Sequence, residues 1–191
     1  MKKFVVVCMF AALISLPLMA QEHGVPKAEV FGGYQYLHLG SDTSFGSTGS
    51  GQGFNGWNAA AQVNFSKFAG VEGDFSGTYA TVEGVSTHVY TYAGGPVVFA
   101  QMNRIKPFAH VLFGGSKLGA SESGVSLSWS GYTVLAGGGI DAKVNRSLAV
   151  RVAQVDWLYY HFGSKTIAGV QFPTVTGSNN VRISTGLVVG F

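Results

Sequence analysis

The segment Asn179-Asn180-Val181-Arg182-Ile183-Ser184-Thr185-Gly186-Leu187-Val188-Val189-Gly190-Phe191 decides how this chain is read. Val181, Ile183, Leu187, Val189 and Phe191 are apolar, with Thr185 the one semi-polar member of that phase. Asn180, Arg182, Ser184, Gly186 and Gly190 form the other phase and are polar or small, Val188 excepted. A period of two predicts a strand with one oily face and one wet face.

Seven further segments carry strand signals: 30–39, 56–65, 68–79, 87–99, 107–117, 129–144 and 148–159. Alternation is cleanest in the second and third. Trp57, Ala59, Ala61, Val63 and Phe65 are set against Asn58, Ala60, Gln62 and Asn64; Val71, Phe75 and Tyr79 are set against Glu72, Asp74, Ser76 and Thr78. The connections are of two kinds. Ser66-Lys67 and Asn145-Arg146-Ser147 are tight and 100–106 is a moderate turn, whereas 40–55, 118–128 and 160–178 are long, the first two rich in Ser or Gly; 80–86 is intermediate.

Composition limits the class. Only 11% of residues are charged, against about 25% in a typical soluble domain. Past the first twenty residues no apolar run approaches the ~20 residues of a spanning helix. A chain of this kind suits an all-β, eight-stranded antiparallel up-and-down transmembrane barrel, in which alternate residues meet lipid and every backbone group pairs with a neighbouring strand. Eight strands put both ends of the barrel segment on the same side, and closing them into a barrel leaves no open edge. Tyr34, Trp57, Val63, Val71, Phe75, Val134, Ile140, Ile183, Leu187 and Val189 are the expected lipid-facing side chains.

Residues 1–20 read as a signal peptide: Lys2-Lys3, an apolar stretch from Phe4 to Met19, and Ala20 before a cleavage point at Gln21. Residues 21–29 then form a short lead-in and 30–191 the barrel domain. Without Lys2 and Lys3, ten Lys/Arg stand against nine Asp/Glu, so the basic balance gives no reason to expect a nucleic-acid partner. Cys8, the one cysteine, lies in the leader; neither disulfides nor thiolate metal sites are expected in the remainder.

Strand phase points a set of charged residues inward: Glu72, Asp74, Asp141, Lys143, Arg182 and, from the fifth strand, His110. On the seventh strand, Arg151 inward would send Gln154 and Asp156 to lipid, which is costly for a charge. A bulge near Val152-Ala153 would bring both back, because a bulge shifts phase by one residue. An eight-stranded barrel is just wide enough for side chains to fill. The expected lumen is a packed, polar, ion-paired core without a wide pore, since buried charges must be paired.

The chain resembles the small OmpA-like transmembrane barrel domains that occur as stand-alone outer-membrane proteins. The resemblance rests on Val30-Phe31-Gly32-Gly33-Tyr34, Gly56-Trp57-Asn58, Asp74-Phe75-Ser76-Gly77, Pro107-Phe108-Ala109-His110, Phe113-Gly114-Gly115, Ala136-Gly137-Gly138-Gly139, Ala149-Val150-Arg151, Gln154-Val155-Asp156 and the closing strand. It covers nearly all of residues 30–191 and marks a barrel, not an activity. It implies export to the bacterial outer membrane, outer-membrane lipid as surroundings, barrel-assembly machinery and periplasmic chaperones as partners, and an extracellular ligand of unknown kind contacted through the long loops. It also implies that Ile183, Leu187, Val189 and Phe191 form the C-terminal signal read during assembly.

Enzymatic readings are weaker. A lipid-modifying barrel needs a His, a nucleophilic Ser and an acidic helper. His161 and Ser164, with Asp156 below them, are the nearest approach. His88 reads as an interface residue, no metal-ligand spacing is present, and Gly137-Gly138-Gly139 lies in a strand with no helix to follow, so it is not a phosphate loop. The expectation is a structural or surface-interaction barrel, not an enzyme, with no cofactor; a narrow porin-like channel and an outer-membrane lipid-modifying enzyme are the alternatives. A soluble lipocalin-like barrel would be expected to turn its apolar residues inward.

Overall fold

The computed structural model describes residues 26–41, 52–82, 85–122, 125–167, 170–172 and 175–191. The expected signal peptide, most of the lead-in and most of the first long loop lie outside these residues. Eight long strands form one closed antiparallel barrel: β1 (Ala28–Leu39), β2 (Gln52–Asn64), β3 (Ala69–Val82), β4 (Val85–Phe99), β5 (Ile105–Glu122), β6 (Val125–Lys143), β7 (Leu148–Phe162) and β10 (Val175–Gly190). Each strand pairs with its neighbours in sequence, and β10 closes the barrel against β1. Between β7 and β10, β8 (Lys165–Ile167) and β9 (Val170–Phe172) make a separate two-stranded sheet. Among the described residues, no helix is long and apolar enough to cross a membrane.

Closure follows from the alternating strands. Tyr34 sits opposite Thr185 on β10 and opposite Trp57 on β2, and Val63 sits opposite Val71. These side chains share the outer face, and the intervening residues fill the interior. The outer face carries a continuous apolar surface including Val63, Val71, Val98, Phe113, Val152, Ile183 and Leu187. Of the ten side chains expected there, nine are outward and exposed; Val134 is half-buried.

The short connections lie at one end. Ser66 Oγ accepts from the amides of Phe68 and Ala69 at 3.3 and 2.9 Å, and Asn145 Oδ1 accepts from Ser147 and Leu148 at 2.9 and 2.8 Å. Ser and Asn turn the chain in this way by hydrogen-bonding backbone two or three residues on. The start of β1 and the last residue meet here: Phe191 N donates to Ala28 O and Lys27 N to Phe191 O, each at 2.8 Å.

The bulge on β7 falls at Val152–Ala153. Asp141 pairs with Arg151 while Ile140 pairs with Ala153, and Ser184 pairs with Gln154 while Gly186 pairs with Arg151. Two consecutive residues therefore point out, and Gln154 and Asp156 return to the interior with Arg151. Thr185 faces outward opposite the bulge, its Oγ1 donating to the Arg151 carbonyl at 2.9 Å. The semi-polar member of the apolar phase is thus satisfied. Gly137 serves the same region: a Cβ there would collide with the backbone and carboxylate of Asp156.

The strands extend further than the sequence suggests. Ladder pairing between β5 and β6 continues to Glu122–Val125, through the Ser-rich stretch expected to be a loop. Ser and Gly weaken a strand pattern but still supply backbone N–H and C=O for pairing. At the other end β1 begins at Ala28, so Glu29 belongs to the barrel and not to a lead-in; β5 begins at Ile105, so Lys106 leaves the expected turn.

Candidate functional site

The interior of the barrel is the candidate site, and it is layered. Toward the turn end, Phe31, Ala60 and Val188 form one small apolar cluster, and Val97, Phe99 and Phe108 a second. Val188, the exception in the wet phase of the last strand, thereby finds an apolar place. The middle holds a charged network. Toward the loop end, Leu37, Leu39, Phe54, Val89, Leu112, Leu118, Leu135, Leu158, Tyr160 and Phe162 pack into an apolar plug. This corrects the expectation of a polar lumen throughout. Inward apolar residues, the expected mark of a soluble lipocalin-like barrel, are therefore present in the loop-end half, where apolar side chains occupy both faces.

The network draws on five strands besides β1 and β2. Arg182 on β10 donates Nη1 and Nη2 to the Asp74 carboxylate at 2.8 and 3.0 Å and Nε to Asp156 Oδ2 at 2.8 Å. His110 on β5 lies between two acids, Nε2 at 2.9 Å from Asp156 Oδ1 and Nδ1 at 3.2 Å from Glu72 Oε1. The second contact lacks hydrogen-bond alignment, and both Glu72 oxygens are without a hydrogen-bond partner. Arg151 donates Nε and Nη2 to Asp141 at 2.8 and 3.3 Å and Nη1 to Gln154 at 2.6 Å; Gln154 Nε2 passes on to Asp156 at 2.7 Å. The Arg151 guanidinium is sandwiched between the Phe31 and Phe108 rings, 4.3 and 4.2 Å from their centroids. A delocalised, weakly hydrated cation suits such a slot. Asn58 donates to Asp74 Oδ2 at 2.8 Å.

Seven of the eight charged residues expected in the lumen are there: Glu72, Asp74, His110, Asp141, Arg151, Asp156 and Arg182 are all buried. Lys143 is not. Its Nζ turns at the rim to Gln101 Oε1 and Met102 O, at 2.6 and 2.9 Å, and the residue is exposed. Its phase matches that of Asp141, but it stands past the last layer of the lumen. The cation in its place is Lys106, 3% exposed, paired with Glu29 and 3.6 Å from Asp141. The sequence holds a signal for both missed residues: Lys106 is two and four positions before inward Phe108 and His110, and Glu29 two before Phe31.

His161, Ser164 and Asp156 are not brought together. His161 faces outward, stacked on Tyr132 at 4.7 Å between centroids, with Nδ1 3.1 Å from Thr176 Oγ1, while Asp156 points into the lumen. His88 lies on the outside against Tyr90, with 5.3 Å between centroids. No group of three or more His, Cys, Asp or Glu able to hold a metal ion occurs among the described residues.

The outer surface is banded as well. Tyr34, Tyr36, Trp57, Tyr79, Tyr92, Tyr132 and Trp157 project outward in the loop-end half, and Phe65, Phe68 and Phe191 at the turn end. Polar tips in the first group find partners: Trp57 Nε1 donates to Tyr79 OH at 3.4 Å, and Tyr79 OH lies 3.1 Å from Tyr90 OH.

Closed eight-stranded barrels of this architecture are known. The chain is similar to the crystal structure of Neisserial surface protein A (NspA), with a TM-score of 0.64 at 11% identity, covering 88% of this chain and 100% of that one. It is similar to the crystal structure of Ail, the attachment invasion locus protein of Yersinia pestis, with a TM-score of 0.55 at 17% identity, covering 87% and 99%. A second Ail structure, in complex with the heparin analogue sucrose octasulfate, gives 0.53 at 18% identity, covering 86% and 97%. At these identities the likeness is one of fold. No protein-family model and no curated protein matches the chain.

Proposed function

We propose that this chain is an exported barrel of the bacterial outer membrane, with a structural or surface-interaction role and a closed lumen. The observation that carries the reading is the outer face: an apolar band between two sets of aromatic side chains, on a barrel with no open edge. Aromatic girdles at both borders of an apolar band are the signature of barrels that sit in lipid. On β3 the stretch from Ala69 to Tyr79 matches the ~9–11 residues a tilted strand needs to cross a bilayer.

In this reading the short turns and both chain ends face the periplasm, and the hairpins at the opposite end face outward. Contact with an extracellular partner falls to that loop end. Biogenesis runs through periplasmic chaperones and assembly machinery that reads Ile183, Leu187, Val189 and Phe191. A conducting pore is disfavoured by the ten-residue plug, and lipid hydrolysis by the separation of His161 from Asp156 on opposite faces of β7.

The test is refolding into detergent micelles and liposomes from the urea-unfolded state. The expected result is a folded form that needs amphiphile, migrates differently on electrophoresis before and after boiling, and co-floats with liposomes after alkaline washing. A monomer that folds and stays soluble without amphiphile would overturn the reading.

A further inference from the structure

Among the described residues, the lumen contains more acids than bases. Glu29, Glu72, Asp74, Asp141 and Asp156 are buried in it, against Lys106, Arg151 and Arg182. A protonated His110 adds a fourth cation and still leaves one negative charge over. The contacts show where that charge resides. They run as chains of alternating sign: Glu29 to Lys106 to Asp141 to Arg151, and Asp74 to Arg182 to Asp156 to His110 to Glu72. Three acids touch a single basic residue each: Asp74 is held by two hydrogen bonds from Arg182 and one from Asn58, while Glu29 and Glu72 are the less supported ends, and Glu72 has no hydrogen bond on either oxygen.

Both ends line the same cavity. Its volume is about 10 Å³, and Phe31, Ala60, Gln62, Arg151 and Val188 complete its wall. That is room for one water-sized body. The register explains the convergence. Glu29 pairs with Gln62, and Gln62 pairs with Glu72, so three inward oxygen-bearing side chains form one row across β1, β2 and β3. Gln62 donates its amide nitrogen to Asn64 at 2.6 Å, which leaves its carbonyl oxygen as the group able to coordinate. Arg151, the cation in the wall, is already engaged by Asp141 and Gln154 through all three guanidinium nitrogens.

We propose that this cavity is a binding site for one alkali-metal cation of sodium type, held by Glu29, Gln62 and Glu72. Hard oxygen donors select hard cations. One surplus charge matches a monovalent ion, whereas a divalent ion would invert the balance. Two carboxylates and one amide offer neither imidazole nor thiolate, so the set does not favour the softer transition metals. The ion neutralises Glu72, the one buried carboxylate among the described residues that has no hydrogen bond.

The experiment uses the full chain, folded in detergent, at fixed pH and ionic strength. Unfolding temperature is measured while choline chloride is exchanged for sodium chloride. The expected result is a saturable rise of several degrees with sodium, since a ligand of the native state stabilises by mass action. Glu72→Gln removes the surplus charge. It should unfold higher than the parent in choline and show no further rise with sodium. Crystals of the unmodified protein soaked in thallium(I) should give an anomalous peak on the Glu29–Gln62–Glu72 row, a readout that does not depend on a variant folding. Equal unfolding temperatures in sodium and choline, a sodium increment retained in Glu72→Gln, or no thallium peak would each overturn the proposal. In the first case the surplus is carried as a bound proton or balanced through water.

Discussion

Arg182 and Asp74 join two non-adjacent strands of the barrel wall. They lie 108 residues apart, on β10 and β3, and meet in the lumen through two hydrogen bonds of 2.8 and 3.0 Å. Two strands, β1 and β2, stand between them around the wall. The pair ties the closing strand to the first half of the chain through the interior, in addition to the ladder between β10 and β1.

Removing one partner of such a pair should be costly. Arg182→Ala strands Asp74 and part of Asp156, and breaking a buried pair from one side costs roughly 3–5 kcal/mol. Arg151→Ala leaves Asp141 with Lys106 alone, at 3.6 Å, and empties the slot between Phe31 and Phe108, with a loss of similar size. Arg146→Ala, at an exposed turn, should fall within about 0.5 kcal/mol of the parent. Urea unfolding in liposomes followed by tryptophan fluorescence checks the order, and an Arg182→Ala protein as stable as Arg146→Ala would contradict the lumen geometry.

The plug predicts an electrically silent protein. Leu112, Leu135 and Leu158 have at most 1% exposure and sit in the loop-end layer of the lumen. Each change to Ala should cost about 2–5 kcal/mol, the range for buried Leu. Planar-bilayer recording should find no conductance steps in the parent and small, flickering steps in the triple variant. Steady conductance in the parent would restore the narrow-channel reading.

Phe191 is fixed to the start of β1 by backbone hydrogen bonds on both sides, with its ring outward. Deleting it should reduce the amount of folded protein in the outer-membrane fraction several-fold. Deleting one residue from 42–51 should leave that amount nearly unchanged. Equal amounts of the two variants, measured by heat-modifiable mobility, would remove the assembly role given to the last strand.

Much of this fold is legible in the sequence because the barrel obeys one rule, a period of two, on strands with one polar phase. β2, β3 and β10 are of that kind. The bulge on β7 was legible for an electrostatic reason: an unbroken phase would have placed Asp156 against lipid. The plug was not legible from alternation. Val111, Leu112 and Phe113 are all apolar, as are Trp157, Leu158 and Tyr159, so the local pattern has no phase. Phase must be carried from a charged neighbour, His110 on β5 and Asp156 on β7. Lys143 shows the opposite failure. Its phase is right, but phase does not say how far the lumen reaches, and a long side chain at the rim bonds to the turn carbonyl of Met102.

The central claim is that the outer face of this barrel lies against lipid while its interior is packed. Single cysteines at Val181, Ile183, Ser184, Leu187, Val188 and Val189, spin-labelled in liposome-inserted protein, test it along one strand. Collision with oxygen, which concentrates in lipid, should be high at Val181, Ile183, Leu187 and Val189. Collision with both oxygen and a water-soluble nickel complex should be low at Ser184 and Val188, which are 1% and 4% exposed inside the lumen. Nickel access that is high at the outward positions, or that shows no period of two along β10, would contradict the account.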